Sequence, residues 1–254
     1  MCLIVFSSLE DIKNESEYSF ILLANRDEYY DRPTKSIHWW KEGYLAGKDL
    51  KAGGTWLGVS EDGRFAAVTN YREDPTVRES SRGDLVKNFL ENQILAEDYL
   101  QTLNKQDYAG FNLLLRDSTG VHYLSNRGGD GTQINNGVNA LGNRILNSPT
   151  NKVKNVSDSF KELLHCNFTK EDLFKFMRKE EGDLTKVGMD EFIQTEDQEL
   201  PFRFIKSEFY GTRCTTVYLI NKNGSHHVLE QEYKKEGELG EIRSFEFRPA
   251  EITS

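Results

Sequence analysis

Three times along the chain an apolar run of strand length breaks at a short polar turn and then resumes. "TWLGVSEDGRFAAVTNY" turns at Glu61-Asp62-Gly63, "FNLLLRDSTGVHYLSN" at Ser118-Thr119-Gly120, and "TTVYLINKNGSHHVLEQEY" at Asn221-Lys222-Asn223-Gly224. Each turn ends in glycine, which supplies the positive φ that lets two antiparallel strands meet. Runs rich in β-branched and aromatic residues on either side complete the hairpin signal. Two more apolar runs, "CLIVFSS" and "SFILLANRD", read as a first pair of strands joined by the polar connector "LEDIKNESEY". Such a chain is constrained to largely antiparallel sheets.

Helices fall between these strands. "SRGDLVKNFLENQILAEDYLQTL" places Leu85, Phe89, Ile94, Leu95 and Leu103 at nearly helical spacing, with Asp84 as the expected cap. "KVKNVSDSFKELLHC" carries Val153, Val156, Phe160, Leu163 and Leu164 on one stripe, just after Pro149. "TKEDLFKFMRK" has the form of a short helix with a capping box from Thr169 to Glu171 or Asp172. The acidic, poorly periodic stretch 180–201 reads as a loop. With no repeat and no linker, residues 1–254 are expected to form one domain. Strands at both ends with helices between them give an α+β unit of two sheets covered by helices.

Charge and composition exclude several classes. With 32 basic against 41 acidic residues the net charge is -9, so no nucleic-acid partner is expected. No stretch approaches the ~20 apolar residues of a membrane span, and Leu3–Phe6 is too short for a signal-peptide core, so a cytoplasmic location is expected. The three cysteines, Cys2, Cys166 and Cys214, are widely spaced and odd in number, which fits neither a disulfide framework nor a zinc site. Cys166, at the end of a helical stripe, and Cys214, inside a strand, are expected to be packed. His226 and His227 are adjacent on a strand and point to opposite faces, which makes them a poor metal pair.

Cys2 stands apart, because removing Met1 would make it the amino terminus. It could be the first small residue of a buried strand. It could also be a nucleophile whose own α-amino group takes the thiol proton, since an ordinary α-amine, near pKa ~8, and an ordinary thiol, near ~8.5, lie close together. Polar residues that such a site would need gather at strand ends. "LLANRDEYYDRP" supplies Arg26 and Asp27, "AAVTNYRE" supplies Asn70, "ALGNRILNSPTNK" supplies Asn143 and Asn147, and "YGTRCTTVYLI" supplies Arg213. An asparagine amide at such a place can donate to a developing oxyanion or can cap the strand.

The segments "MCLIVF", "LLANRDEYYDRP", "GGTWLGVSEDGRFAAVTNY", "SRGDLV", "GFNLLL", "LGNRILNSPTNKV" and "YGTRCTTVYLI" run in the order found in the NRDE-domain proteins, the transport-and-Golgi-organisation family, which the chain resembles over nearly its whole length. The resemblance implies the fold of the N-terminal nucleophile hydrolases, a four-layer αββα sandwich with the nucleophile on the first strand. Within that superfamily the chain is most similar to the cysteine branch, which cleaves amide bonds in acyl conjugates. The implied catalytic set is Cys2, Arg26, Asp27, Asn70, Asn143 and Arg213, with Asn147 the competitor of Asn143. Arg26 and Asp27 are adjacent here, whereas the acylases space them more widely. NRDE proteins usually carry an acidic residue at Asn147 and an aromatic one at Thr150, a difference that would alter a pocket wall. Two functions follow as alternatives. One is an amidohydrolase for a small acyl amide or acyl conjugate, with no cofactor. The other is a non-catalytic binding or trafficking protein for haem or an acylated lipid.

Overall fold

The structure, a computed structural model, describes residues 2–8, 16–72, 78–128, 131–179 and 203–250. The acidic stretch 180–201 and most of the first connector therefore lie outside the described residues. The first half of the chain runs β1 (Cys2–Ser8), β2 (Tyr18–Tyr29), β3 (Thr34–Trp40), β4 (Tyr44–Asp49), β5 (Leu57–Ser60) and β6 (Phe65–Asn70). Helices α1 (Arg82–Glu91) and α2 (Ala96–Thr102) follow, then β7 (Phe111–Asp117), β8 (Gly120–Ser125), β9 (Thr132–Gln133) and β10 (Val138–Leu141). Helices α3 (Asn151–Leu164) and α4 (Lys170–Met177) precede β11 (Tyr210–Asn221), β12 (His226–Tyr233) and β13 (Leu239–Phe247).

One sheet has the order β10-β1-β2-β11-β12-β13 and the other runs β3 to β9 in sequence. All three hairpins form as read, β5–β6 and β7–β8 in the second sheet and β11–β12 in the first. Alternation along each strand divides the apolar residues between two faces. Ile4, Phe6, Phe20, Leu22, Leu57, Phe65 and Tyr218 share a core between the sheets. Leu3, Val5, Ile21 and Leu23 turn the other way and pack on Val153, Val156 and Phe160 of α3 and Leu173 of α4. Ala66, Val68, Leu113 and Leu115 do likewise under Leu85, Val86 and Phe89 of α1 and Tyr99 of α2. The layering is thus αββα.

Two helix expectations need correction. The stretch read as one long helix is two, because Asn92 leaves helical geometry and its amide donates to the Asn88 carbonyl. The second helix starts where Asp117, on β7, accepts from the Ala96 N–H at 2.6 Å. The cap of α1 is Ser81, whose hydroxyl accepts from Gly83 N–H, and Asp84 sits one step inside the first turn, where a carboxylate complements the helix dipole. The capping box of α4 forms as expected between Thr169 and Asp172.

At the seam between β12 and β3 a buried Glu230 carboxylate accepts from the Ile37 N–H at 2.8 Å and from the Cys214 thiol, and burial pushes its pKa up. Farther along β12, His226 faces the inter-sheet core with Nδ1 2.8 Å from the Tyr218 hydroxyl, while His227 faces Lys170 of α4. Burial, with Arg116 adding to it, pushes the His226 pKa down to about 4. A histidine held neutral in the fold stabilises it fully above the unfolded pKa of about 6.5 and progressively less as pH falls toward 4. Unfolding free energy is therefore expected to drop by up to ~3 kcal/mol across that window, and His226→Gln should flatten the profile. Chemical denaturation at stepped pH measures it; an unchanged slope in the variant would assign the acid sensitivity to other groups.

Candidate active site

The period that sends Ile4 and Phe6 into the inter-sheet core also sends Cys2 to that face, at its open end. Register then fixes its neighbours: Cys2 pairs with Arg26 on β2, and Arg26 pairs in turn with Cys214 on β11. These strand ends border a cavity of about 760 Å³ shared by Cys2, Arg26, Asp27, Glu28, Trp56 and Asn70. The start of α1, from Ser80 to Gly83, closes it from the second sheet.

Each polar group has an identifiable setting. Arg26 is 5% exposed and lies with its guanidinium 4.2 Å from the centre of the Trp56 ring. It donates to Thr34 at 3.1 Å and faces Asp49 at 3.6 Å and Glu28 at 3.8 Å. Arg32 binds the same Asp49 at 2.6 Å. Although burial works against it, hydrogen bonds from the Ala52 and Lys51 N–H groups and from Arg32 bring the Asp49 pKa below its usual value. Asp27 is buried and accepts from the Thr212 hydroxyl at 2.7 Å, while its carbonyl accepts from the Tyr210 hydroxyl at 2.9 Å. Burial pushes the Asp27 pKa up, and the buried Lys152 in the first turn of α3 opposes that shift. The half-buried Cys2 thiol is pushed up by burial and by the Asp27 carboxylate, with Arg26 and the Asp27 backbone N–H pulling it down.

Not all of the expected residues border the cavity. Asn70 does, exposed at the end of β6. Asn143 is 2% exposed behind it, and its amide donates to the Asn70 carbonyl at 2.8 Å. Arg213 sits in a bulge of β11 between Thr212 and Cys214, outside the lining. Its guanidinium donates to the carbonyls of Tyr29 at 2.9 Å and Arg32 at 3.2 Å, so it ties down the chain that leaves β2. Asn147 adopts φ 56 and exchanges bonds with Ala140 and Asn139 of β10, which makes it a turn residue. Thr150 caps α3 by accepting from the Val153 N–H. Asn25, from the same polar run as Arg26, donates to the carbonyls of Met177 and Arg203 and so anchors β2 to the end of α4.

Sequence reading points to Trp56 as a pocket residue, and the structure places it in the lining, where it carries the Arg26 stack. It missed two further contributors. Gly54 and Gly83 pack backbone to backbone, since a Cβ on Gly54 would meet the Gly83 carbonyl carbon at 3.0 Å. That contact seats the "GGTW" loop against the start of α1 and explains why both quoted motifs carry glycine. A buried set, Thr69, Asn112 and Tyr123, holds the segment after β10: Thr69 donates to the Gly142 carbonyl, Asn112 to Arg144, and Tyr123 accepts from the Leu146 N–H. Only tertiary pairing brings those residues together.

The cysteines do not all lie as expected. Cys214 is buried, but Cys166 is exposed, because α3 ends at Leu164 and the stripe no longer governs the residues beyond it. Thiol reactivity needs both access and thiolate. Brief alkylation at neutral pH with peptide mapping is expected to mark Cys166 first, Cys2 more slowly and Cys214 not at all. Cys2 ahead of Cys166 would mean that its thiol ionises despite its burial.

An αββα sandwich with a cysteine at the start of its first strand, opening on a polar cavity, is the class of protein that fold and site define. The chain belongs to the Transport and Golgi organisation 2 family, whose sequence pattern it matches over residues 1–235. Among its relatives, the Transport and Golgi organization 2 homolog of Mus musculus is 31% identical over 97% of this chain and 99% of its own. The Homo sapiens homolog is 30% identical with the same coverage, and the Drosophila melanogaster protein is 26% identical over 91% of this chain and 92% of its own. A solved structure of a Caenorhabditis elegans N-acylethanolamine-hydrolyzing acid amidase ortholog overlaps with a TM-score of 0.48 at 11% identity, covering 85% of this chain and 92% of that one. No helix among the described residues is long and apolar enough to cross a membrane.

Proposed function

We propose that the protein is an N-terminal-cysteine amidohydrolase acting on a small amide conjugate. The observation that carries this reading is the convergence of Cys2, Arg26, Asp27 and Asn70 on one cavity of about 760 Å³, an ordinary size for a small-molecule site. Loss of Met1 gives Cys2 a free α-amine. That amine takes the thiol proton as sulphur attacks the substrate carbonyl, and the Asn70 amide donates to the oxyanion. The amine then passes the proton to the departing nitrogen, leaving a thioester that water hydrolyses. Asp27 orients the amine, Arg26 holds the wall beside the sulphur, and Asn143 and Arg213 act as positioning residues through Asn70 and the end of β2.

Haem fits this lining less well. Among the described residues of the lining, Cys2 and Tyr29 are of types that can ligate haem iron, but the larger apolar side chains are Trp56, Val68 and Tyr29, too few to sheathe a macrocycle. The test is intact mass of untagged protein together with a panel of acyl amides and haem run against wild type and Cys2→Ala. Loss of Met1 and Cys2-dependent turnover are expected. A retained Met1, or haem binding with no amide turned over, would defeat the reading.

A further inference from the structure

The chain is acidic overall, yet the described lining of its cavity is not. Arg26, Arg32, Lys51, Arg78 and Arg82 line it against Asp27, Glu28 and Asp49. Arg26 and Arg32 are balanced by Glu28 and Asp49, through contacts of 2.6 to 3.8 Å. Asp27 is engaged with Thr212 and opposed by Lys152. The remaining positive charge lies on Lys51 and Arg78, beside the first turn of α1. Lys51 and Arg78 make no ion pair among the described residues, while Arg82 is partnered, the Gly110 carbonyl at 3.1 Å being one of its contacts. Ser80, Ser81 and Gly83 of the same turn also face the cavity, so the positive end of the α1 dipole adds to the field. Because Gly54 meets Gly83 without side chains between them, the "GGTW" loop brings Lys51 to this turn.

We infer that the ligand carries an anionic group, a carboxylate or a phosphate monoester, that docks among Lys51, Arg78 and the first turn of α1. The amide end of this picture rests on the amidohydrolase reading, whereas the anionic end rests on the charge of the cavity and stands separately. A fork of arginine nitrogens and a helix start are the groups that hold carboxylate or phosphate oxygens, and their attraction weakens with salt. A long uncharged acyl chain would leave these cations facing lipid.

The experiment titrates full-length Cys2→Ala, which binds without turning over, with two matched pairs. N-Hexanoylglycine is set against N-hexanoylglycinamide, and the phosphate ester of N-hexanoylethanolamine against its parent alcohol, by calorimetry at low and high salt. At least one anionic member is expected to bind about tenfold tighter than its neutral partner. The double variant Lys51→Gln/Arg78→Gln, both at exposed positions, should lose most of that preference, as should high salt. Which pair responds distinguishes carboxylate from phosphate. Equal binding within both pairs, no binding by any of the four at millimolar concentration, or a preference that survives the double variant would overturn the inference. An anion preference without Cys2-dependent turnover in wild type would sink the amidohydrolase reading and leave this one standing; turnover indifferent to charge would do the reverse.

Discussion

Replacing Cys2 by alanine is expected to reduce amide turnover to background, and Asn70→Ala to lower kcat by about 100-fold or more with little change in KM. The first removes the sulphur that the proposed thioester requires. The second removes a donor whose bond strengthens only as charge develops on the substrate oxygen, so ground-state binding is spared. Asn70 can be replaced without collapse because its side chain is exposed at the end of β6 while its backbone stays bonded to Asn143 and paired with Phe111. Steady-state kinetics on the best amide of the panel reads both effects. Should Asn70→Ala raise KM and leave kcat alone, the asparagine would be holding the substrate, and the oxyanion donor would have to be sought elsewhere.

Gly47→Ala is expected to disturb the site from a distance. Gly47 lies on β4 directly beneath Trp56, and an added methyl would overlap the indole ring. The ring must move, and with it the stack on Arg26, which is buried and has no other aromatic support among the described residues. Overpacking of this kind costs roughly 1–3 kcal/mol. In a chain of this size it lowers Tm by about 2–10 °C. If Cys2 acts as proposed, displacing a wall residue beside it by even about 1 Å can cost on the order of 100-fold in kcat/KM. Gly58→Ala is the control: its methyl would crowd Leu90 at 2.6 Å, and neither residue lines the cavity. It should lower Tm and leave the kinetics of the folded protein alone. If both variants lose activity in proportion to stability, the Trp56 stack has no particular part in the site. Recovery of activity in Gly47→Ala/Trp56→Phe would strengthen the case for it.

How much of this was legible beforehand depended on how local the cause is. Hairpins are written by a turn glycine and the alternation around it, so β5–β6, β7–β8 and β11–β12 could be read directly. The polar ends of β2 and β6 stood out because ionisable groups directly after a buried strand must find a rim. The start of α2 was hidden, since it is fixed by a carboxylate on β7, contributed 21 residues later. Cys166 was misjudged because periodicity is silent about the residue after a helix ends. Arg213 looked catalytic by motif, but a bulge, which pattern reading does not register, turned it toward the carbonyls that follow β2. Short β10, with Val138–Leu141, and the exposed alternation of β13 gave too little apolar signal to be read as strands at all.

The central position of β2 has a consequence for how the protein is made. Its two neighbours are β1, nearly adjacent in sequence, and β11, which supplies Thr212 to Asp27 across 185 residues. At 5–20 residues per second, on the order of 10 to 40 s separate the emergence of those two side chains from the ribosome. Throughout that interval β2 has an open edge and Asp27 lacks its hydroxyl partner, and for the first part of it the amino-terminal strand also awaits β10 on its other side. Any enzyme that trims the start of the chain would thus meet it before the sheet closes over it, and the chemistry proposed for Cys2 would wait for the last third of the protein to be synthesised.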